Sequence, residues 1–219
     1  MFRDRTEAGE KLGSALIGQK KKDPIVLAIP RGGVEVGYQV ARRLNSRFSL
    51  AITRKLPLPE NPEAGFGAVA EDGSVYLVPE AKRRIPDNII RETAQEQVNE
   101  IKRRISVLRG NRPLPPLTGE TVILVDDGIA MGSTMRATVE MCRNSDAGEI
   151  IVAAPVTGPR VEREFRKLVD KVVILEVPPD FHAVAQVYEN WYDVPDQEVM
   201  EIMMERGYDT ESLRFPELL

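Results

Sequence analysis

One cysteine and one histidine in 219 residues leave little room for disulfide chemistry or for the commonest metal sites. Cys142 has no partner for an intrachain disulfide, and inside a helix-periodic segment it reads as a small buried side chain. His182 could serve as an acid or base, but its neighbours in sequence do not assign that role. No cluster of His, Cys and acidic residues has metal-ligand spacing. No apolar run approaches the roughly 18 residues of a membrane span, and Met1, Phe2, Arg3, Asp4 and Arg5 do not lead into a signal-peptide core. A cytoplasmic protein without a membrane partner is the expectation. Basic residues number 30 against 34 acidic ones, a net charge of −4. The positive excess required for general nucleic-acid binding is therefore missing. Internal repeats, a G-x-G-x-x-G fingerprint and a nucleophile elbow are missing too.

What is there is a chain 42% hydrophobic and 29% charged, enough to bury a substantial core as one domain over residues 1–219. Its organising stretch is 122–135. Val122, Ile123, Leu124 and Val125 form an apolar run suited to a strand covered on both faces of a parallel sheet. Asp126 and Asp127 follow where that strand ends. Gly128, Ile129, Ala130, Met131 and Gly132 make a short loop, and Ser133 and Thr134 open a segment with helical spacing. A small-residue loop at a helix N-terminus presents backbone N–H groups and the positive end of the helix dipole, a cradle for phosphate. Carboxylates beside it can accept hydrogen bonds from sugar hydroxyls. A Walker A loop is excluded, because the glycines stand one residue too close and no lysine precedes Ser133. A plain strand-turn-helix, with the aspartates serving as turn and cap, is the alternative.

Further strand candidates precede and follow this one. Residues 24–30 read as a buried strand followed by Arg31, Gly32 and Gly33. Adjacent glycines let a backbone approach a ligand closely, and Arg31 is a planar, permanent cation. Residues 47–53 read as a strand that ends at Arg54 and Lys55. The proline-rich stretch 56–65 is too irregular for a helix and reads as a lid or binding loop. A hairpin follows over 65–78, turning at Asp72 and Gly73. Helical spacing runs over 6–17, 34–44, 86–108 and 160–168, with the cluster of Lys102, Arg103 and Arg104 assigned to a solvated face and Lys20, Lys21 and Lys22 to a solvated turn. Strands at 149–156 and 171–177 complete an alternation that predicts a doubly wound, mainly parallel α/β sheet flanked by helices. Such sheets bind ligands outside the carboxyl ends of their strands, where Arg31, Lys55, Asp126 and Asp127 are all expected. The tail from 178 breaks the alternation and gathers Phe181, His182, Tyr188, Trp191 and Tyr192, whose roles the sequence leaves open between packing and base stacking.

The strand, the paired acids and the Gly-Ser-Thr helix start, in that order, resemble the phosphoribosyl-pyrophosphate (PRPP) motif of type I phosphoribosyltransferases. Arg31, Gly32 and Gly33 resemble the pyrophosphate loop of the same family, and Lys55 its basic residue at the next strand. The resemblance covers about 24–177 and implies a Rossmann-like core there, with a small hood built from 1–23 and 178–219. It also implies a closing loop after Lys55, a non-proline cis peptide between Arg31 and Gly32, and a homodimer. By the same resemblance, the 5-phosphate would lie on residues 130–134, meaning Ala130, Met131, Gly132, Ser133 and Thr134, after the turn at Gly128. The ribose hydroxyls would meet Asp126 and Asp127, and the pyrophosphate would meet Arg31, Gly32, Gly33 and Lys55. Arg31, Lys55 and Asp127 are the catalytic candidates. Mg²⁺ is expected through the substrate, with Asp126 and Asp127 as candidate ligands. The implied reaction moves a 5-phosphoribosyl group from PRPP to a small nitrogenous acceptor, a nucleobase in the first instance. Two departures stand out: Ala130 replaces the aspartate of the 6-oxopurine enzymes, and Met131 replaces a common threonine. A PRPP- or nucleotide-sensing regulator is the second reading, and a PRPP-producing kinase, for which no ATP loop is evident, the third.

Overall fold

The computed structural model describes residues 1–19, 23–58 and 60–205. The lysine run at 20–22, Pro59 within the expected lid, and the part of the expected hood at 206–219 lie outside the described residues.

The apolar runs become strands of one sheet. β1 (Ile25–Ala28) and β6 (Thr121–Val125) are buried along their whole length. They pair in parallel with their ends level, Ala28 opposite Val125. β2 (Arg47–Leu50) lies beyond β1, and β7 (Glu149–Val156) and β8 (Lys171–Glu176) lie beyond β6. The order is β2-β1-β6-β7-β8, with every pairing parallel. The chain thus builds outward from β1 in one direction and later from β6 in the other. The order reverses between these two central strands, so the loops leaving them open away from each other and form a crevice.

Successive side chains alternate between the two faces. Val26, Ala28, Ile123, Val125 and Ile151 belong to one core with α1 (Arg5–Leu16), α2 (Gly33–Leu44) and α4 (Asp87–Arg109). Ile25, Leu27, Val122, Leu124 and Val152 belong to the other, with α5 (Ser133–Asn144) and α6 (Pro159–Phe165). Cys142 is fully covered there, and burial pushes its thiol up to about 12, in keeping with an inert packing role.

Two sequence expectations change at the third strand. The apolar continuation through Ala51 and Ile52 hides a break: β2 stops at Leu50, and β3 (Thr53–Leu58) belongs to a second sheet. Lys55 therefore does not stand at the end of a parallel strand. The proline-rich stretch is not irregular either. β3 pairs antiparallel with β4 (Asn61–Ala70), the register shifting around Pro57, which has no N–H to give the ladder. β5 (Val75–Leu77) completes the meander after a turn in which Gly73 takes φ +90°. Glu71 secures the junction between the sheets. It accepts from the Ile52 N–H at 3.0 Å and pairs with buried Arg109, whose Nη1 also donates to the Leu50 carbonyl at 2.9 Å. A short α3 (Ala81–Arg84) leads into α4, and α7 (Asp196–Glu205) follows the aromatic segment. Arg104 departs from its expected solvated face: it is 7% exposed, shares the covered side of α4 with Ile101 and Leu108, and bonds Glu100 at 3.1 Å.

Candidate active site

A cavity of about 420 Å³ opens between the end of β6, the start of α5 and the β3–β4 hairpin. Among its lining residues are Asp126, Gly128, Ala130, Met131, Gly132, Ser133 and Thr134 from the central stretch, with Lys55 and Gly65 from the second sheet.

Local chemistry shapes the floor. Gly132 takes φ +77°, a left-handed turn that favours glycine, and α5 starts at once after it. Its first regular bond runs from the Arg136 N–H to the Gly132 carbonyl at 2.9 Å, so the N–H groups of Ser133, Thr134 and Met135 have no acceptor within the helix. The loop is also tied to β7. The Ile129 N–H donates to Val156 O at 2.9 Å, and the Thr157 hydroxyl donates to Ile129 O at 2.7 Å. The cradle is thus preformed. Exposed Met131 contributes backbone where a threonine would add a hydroxyl.

Lys55 reaches the site from above. Thr53 and Lys55 lie on one face of β3, and the Thr53 hydroxyl meets that of Thr138 on α5 at 2.9 Å. Thr138 spends its own proton on the Thr134 carbonyl at 2.9 Å, so Thr53 is the donor in that contact. The Lys55 stem lies across Gly65, where an added Cβ would fall 2.6 Å from its Cγ. On the opposite face of β3, Arg54 bonds Gln97 of α4 at 3.2 Å, and burial and the nearby Arg104 guanidinium hold it below its usual range.

The two aspartates face different ways. Asp126 borders the cavity, whereas Asp127 is buried and its Oδ2 accepts from Arg5 Nε at 2.8 Å. The Asp127 N–H donates to Asp126 Oδ1 at 2.9 Å, and the Tyr188 hydroxyl donates to Asp127 O at 2.7 Å. Burial, then the neighbouring charge, pushes Asp126 well above the usual carboxylate range. Burial also raises Asp127, against the pull of Arg5. Both rises oppose holding two anions together without a cation or donor.

The β1–α2 loop closes the other side. Its non-proline cis peptide is Pro30–Arg31, one bond earlier than expected. Gly32 touches the Asp127 carboxylate so closely that a Cβ would collide with it, and a Cβ on Gly33 would fall 2.9 Å from Asp126 Cα. These glycines are the reason the two loops can meet. Arg31 does not line the cavity; its guanidinium lies 3.8 Å from Asp196 at the start of α7. The structure therefore gathers Lys55, Asp126 and the 128–134 loop around one space, sets Gly32, Gly33 and Asp127 behind it, and turns Arg31 aside.

Sequence reading missed Arg5 and left Tyr188 without a role. The signal for Arg5 was its place in the stripe with Ala8, Leu12 and Leu16, the covered side of α1. In the aromatic tail, Val184 packs on Gly128 and Phe181 on Gly158. His182 is exposed and its backbone N–H donates to Gln186 Oε1 at 2.8 Å. Among the described residues no group of three or more His, Cys, Asp or Glu could hold a metal ion unaided, and no helix is long and apolar enough to cross a membrane.

Comparison with known proteins agrees with this architecture. The family model for the phosphoribosyl transferase domain matches residues 4–190. Two curated Mycobacterium tuberculosis relatives, MT0597 and Rv0571c, whose names assign them provisionally to the phosphoribosyl transferases, are each 35% identical over 210 residues, 91% of this chain. The chain spans about half the length of these relatives, 46%. The crystal structure of TT1426 from Thermus thermophilus superposes with a TM-score of 0.79 at 37% identity, covering 93% of this chain and 98% of that one. Matched by the family model from before α1 to beyond Tyr188, the chain belongs to the phosphoribosyl transferase family.

Proposed function

We propose that the protein uses PRPP and Mg²⁺ to transfer a 5-phosphoribosyl group to a nitrogen acceptor, a nucleobase or related small heterocycle, with release of pyrophosphate. The observation that carries this reading is the cavity in which Lys55 overhangs a preformed helix-start cradle with Asp126 at its edge. A dianionic phosphate suits the N–H groups of 133–135 and the Ser133 and Thr134 hydroxyls. Asp126 accepts from the ribose hydroxyls beside it, and Asp127 supports Asp126 from behind through its N–H. Lys55 meets the charge of the pyrophosphate, while Gly32 and Gly33 let the β1–α2 loop pack against the paired acids behind the cavity.

Displacement at C1 of the ribose proceeds through a transition state with oxocarbenium character. The chain contributes position and a fixed electrostatic field. The β3–β4 hairpin, carrying Lys55, is the element placed to cover the reacting centre and exclude water. The donor set suits Mg²⁺: one carboxylate at the cavity edge, raised by burial and by its neighbour, fits a cation that keeps waters and substrate phosphates as its main ligands. Bound there, the ion would neutralise the leaving pyrophosphate. Residues 1–19 and 178–205 would act as the hood over the acceptor, and the enzyme would work as a cytoplasmic homodimer.

Pyrophosphate release from PRPP, assayed over a panel of purines, pyrimidines and small nitrogen heterocycles, tests this. Release with at least one acceptor, reduced about 100-fold or more by Lys55→Ala, is the expected result. Unaltered turnover in both Lys55→Ala and Asp126→Asn would remove the assigned roles.

A further inference from the structure

Arg5 stands where an amphipathic helix would ordinarily carry an apolar side chain. It shares the covered face of α1 with Ala8, Leu12 and Leu16 and is itself 3% exposed. Its Nε holds Asp127 Oδ2 at 2.8 Å, and its Cζ lies 4.1 Å over the Trp191 ring and 5.4 Å from that of Tyr192. Its Nη1 is buried without a hydrogen-bond partner among the described residues. A guanidinium in such a place costs desolvation, and an orphaned N–H adds to it. If α1 needed only to pack, a leucine would serve better.

The other end of Asp127 is held as well. Tyr188 donates to its carbonyl, and the Tyr188 ring lies between those of Phe2 and Trp191, at 5.7 and 5.3 Å. One residue of the paired acids is thus gripped at its carboxylate by the N-terminal helix and at its carbonyl by the aromatic segment. Gly32 leaves the carboxylate no room to move toward the β1–α2 loop.

We infer that Arg5 is a positioning residue for the sugar-binding acids. It fixes the Asp127 carboxylate and, through its stack on Trp191, couples the aromatic segment to ligand binding at Asp126, which Asp127 supports from behind. The inference rests on the proposed PRPP chemistry. Linkage makes the coupling reciprocal: a ligand that alters the Arg5–Asp127 bond alters the surroundings of Trp191, and a change at Trp191 alters ligand affinity. Trp191 is the single tryptophan of the chain and keeps 38% of its surface exposed, so its emission reports the cation over its face.

The full chain is titrated with PRPP and Mg²⁺ by calorimetry and, in parallel, by Trp191 emission, for the wild type, Arg5→Leu, Arg5→Lys and Tyr188→Phe. In the wild type the emission changes with the same midpoint as the heat. Arg5→Leu weakens PRPP binding at least 10-fold and silences the emission change, while Arg5→Lys recovers part of both. Tyr188→Phe, which keeps the ring and loses only the bond to Asp127 O, weakens binding several-fold and decides the matter should Arg5→Leu not fold. Wild-type heat with a silent Trp191, or wild-type affinity in the folded Arg5 variants, overturns the inference and leaves the PRPP reading standing. A folded wild type that gives no heat with PRPP removes both.

Discussion

The Thr53 hydroxyl on β3 donates to Thr138 on α5 at 2.9 Å, in a contact closed to solvent. This bond joins the second sheet to the helix whose first turn forms the cradle. It sets the height of Lys55, two residues further along the same face of β3. Thr53→Val keeps the shape and removes the donor. Chemical denaturation should show a loss of about 1 kcal/mol, and PRPP affinity should fall because Lys55 loses its anchor. Unchanged affinity would mean that the strand pairing alone places Lys55.

Gly32 and Asp127 cannot both carry what an ordinary residue would bring. The φ of Gly32 is −60°, open to any L residue, so the demand is for space and not for conformation. Gly32→Ala should destabilise the fold by about 1–3 kcal/mol, as overpacking does, and should displace the Asp127 carboxylate. Gly18→Ala, with nothing among the described residues within 4 Å of its added methyl, is the matched control and should leave the urea midpoint in place.

At Gly65 the neighbour is a flexible lysine stem instead of a carboxylate. Gly65→Ala places its methyl 2.6 Å from Lys55 Cγ and 2.7 Å from Cδ, and the lysine can swing away. Stability should change little while PRPP affinity falls. In Lys55→Ala the same substitution should have no further effect on affinity, a non-additivity that a double-mutant cycle measures directly.

Much of this arrangement is legible in the sequence because it rests on continuous signals. The apolar runs at 25–28 and 122–125, the acids that end the second run, and the Gly-Ser-Thr helix start each depend on neighbours a few residues apart. Lys55 borders the cavity from a strand of the second sheet and not from the end of a parallel strand. Ala51 and Ile52 continue the apolar run of β2, and no local feature marks the change of sheet, which is set by Glu71 and Arg109 from distant segments. Arg5 and Asp127 are 122 residues apart, a pairing that no local pattern contains. A cation in an apolar helical stripe is the trace such pairings leave. Arg104, between Ile101 and Leu108, is a second cation in such a stripe, paired instead with a neighbour one turn away, Glu100.

Glu100 gives a pH signature in the same region. Hydrogen bonds from Arg103 at 2.8 and 2.9 Å, then from Arg104 at 3.1 Å, hold its carboxyl down to about 2. A folded value below the unfolded one, about 4.3, means that the stabilisation is complete above the unfolded value. It is lost as pH falls through the folded one. The wild type should therefore exceed Glu100→Gln by at most about 1 kcal/mol at pH 7, since the pair is partly solvated. That margin should hold to pH 5, narrow below 4 and close near 2 in urea titrations. A margin that widened on acidification would contradict the pairing.

The central claim is that the paired acids and the helix start together hold a phosphoribosyl group. Calorimetric titration with PRPP and Mg²⁺, against ribose 5-phosphate, tests it in the wild type and in Asp126→Asn/Asp127→Asn. The account requires tight PRPP binding, weaker binding of ribose 5-phosphate, and a loss of at least 10-fold in PRPP affinity in the double variant. PRPP binding that ignores the aspartates, or no binding by the folded wild type, would contradict it.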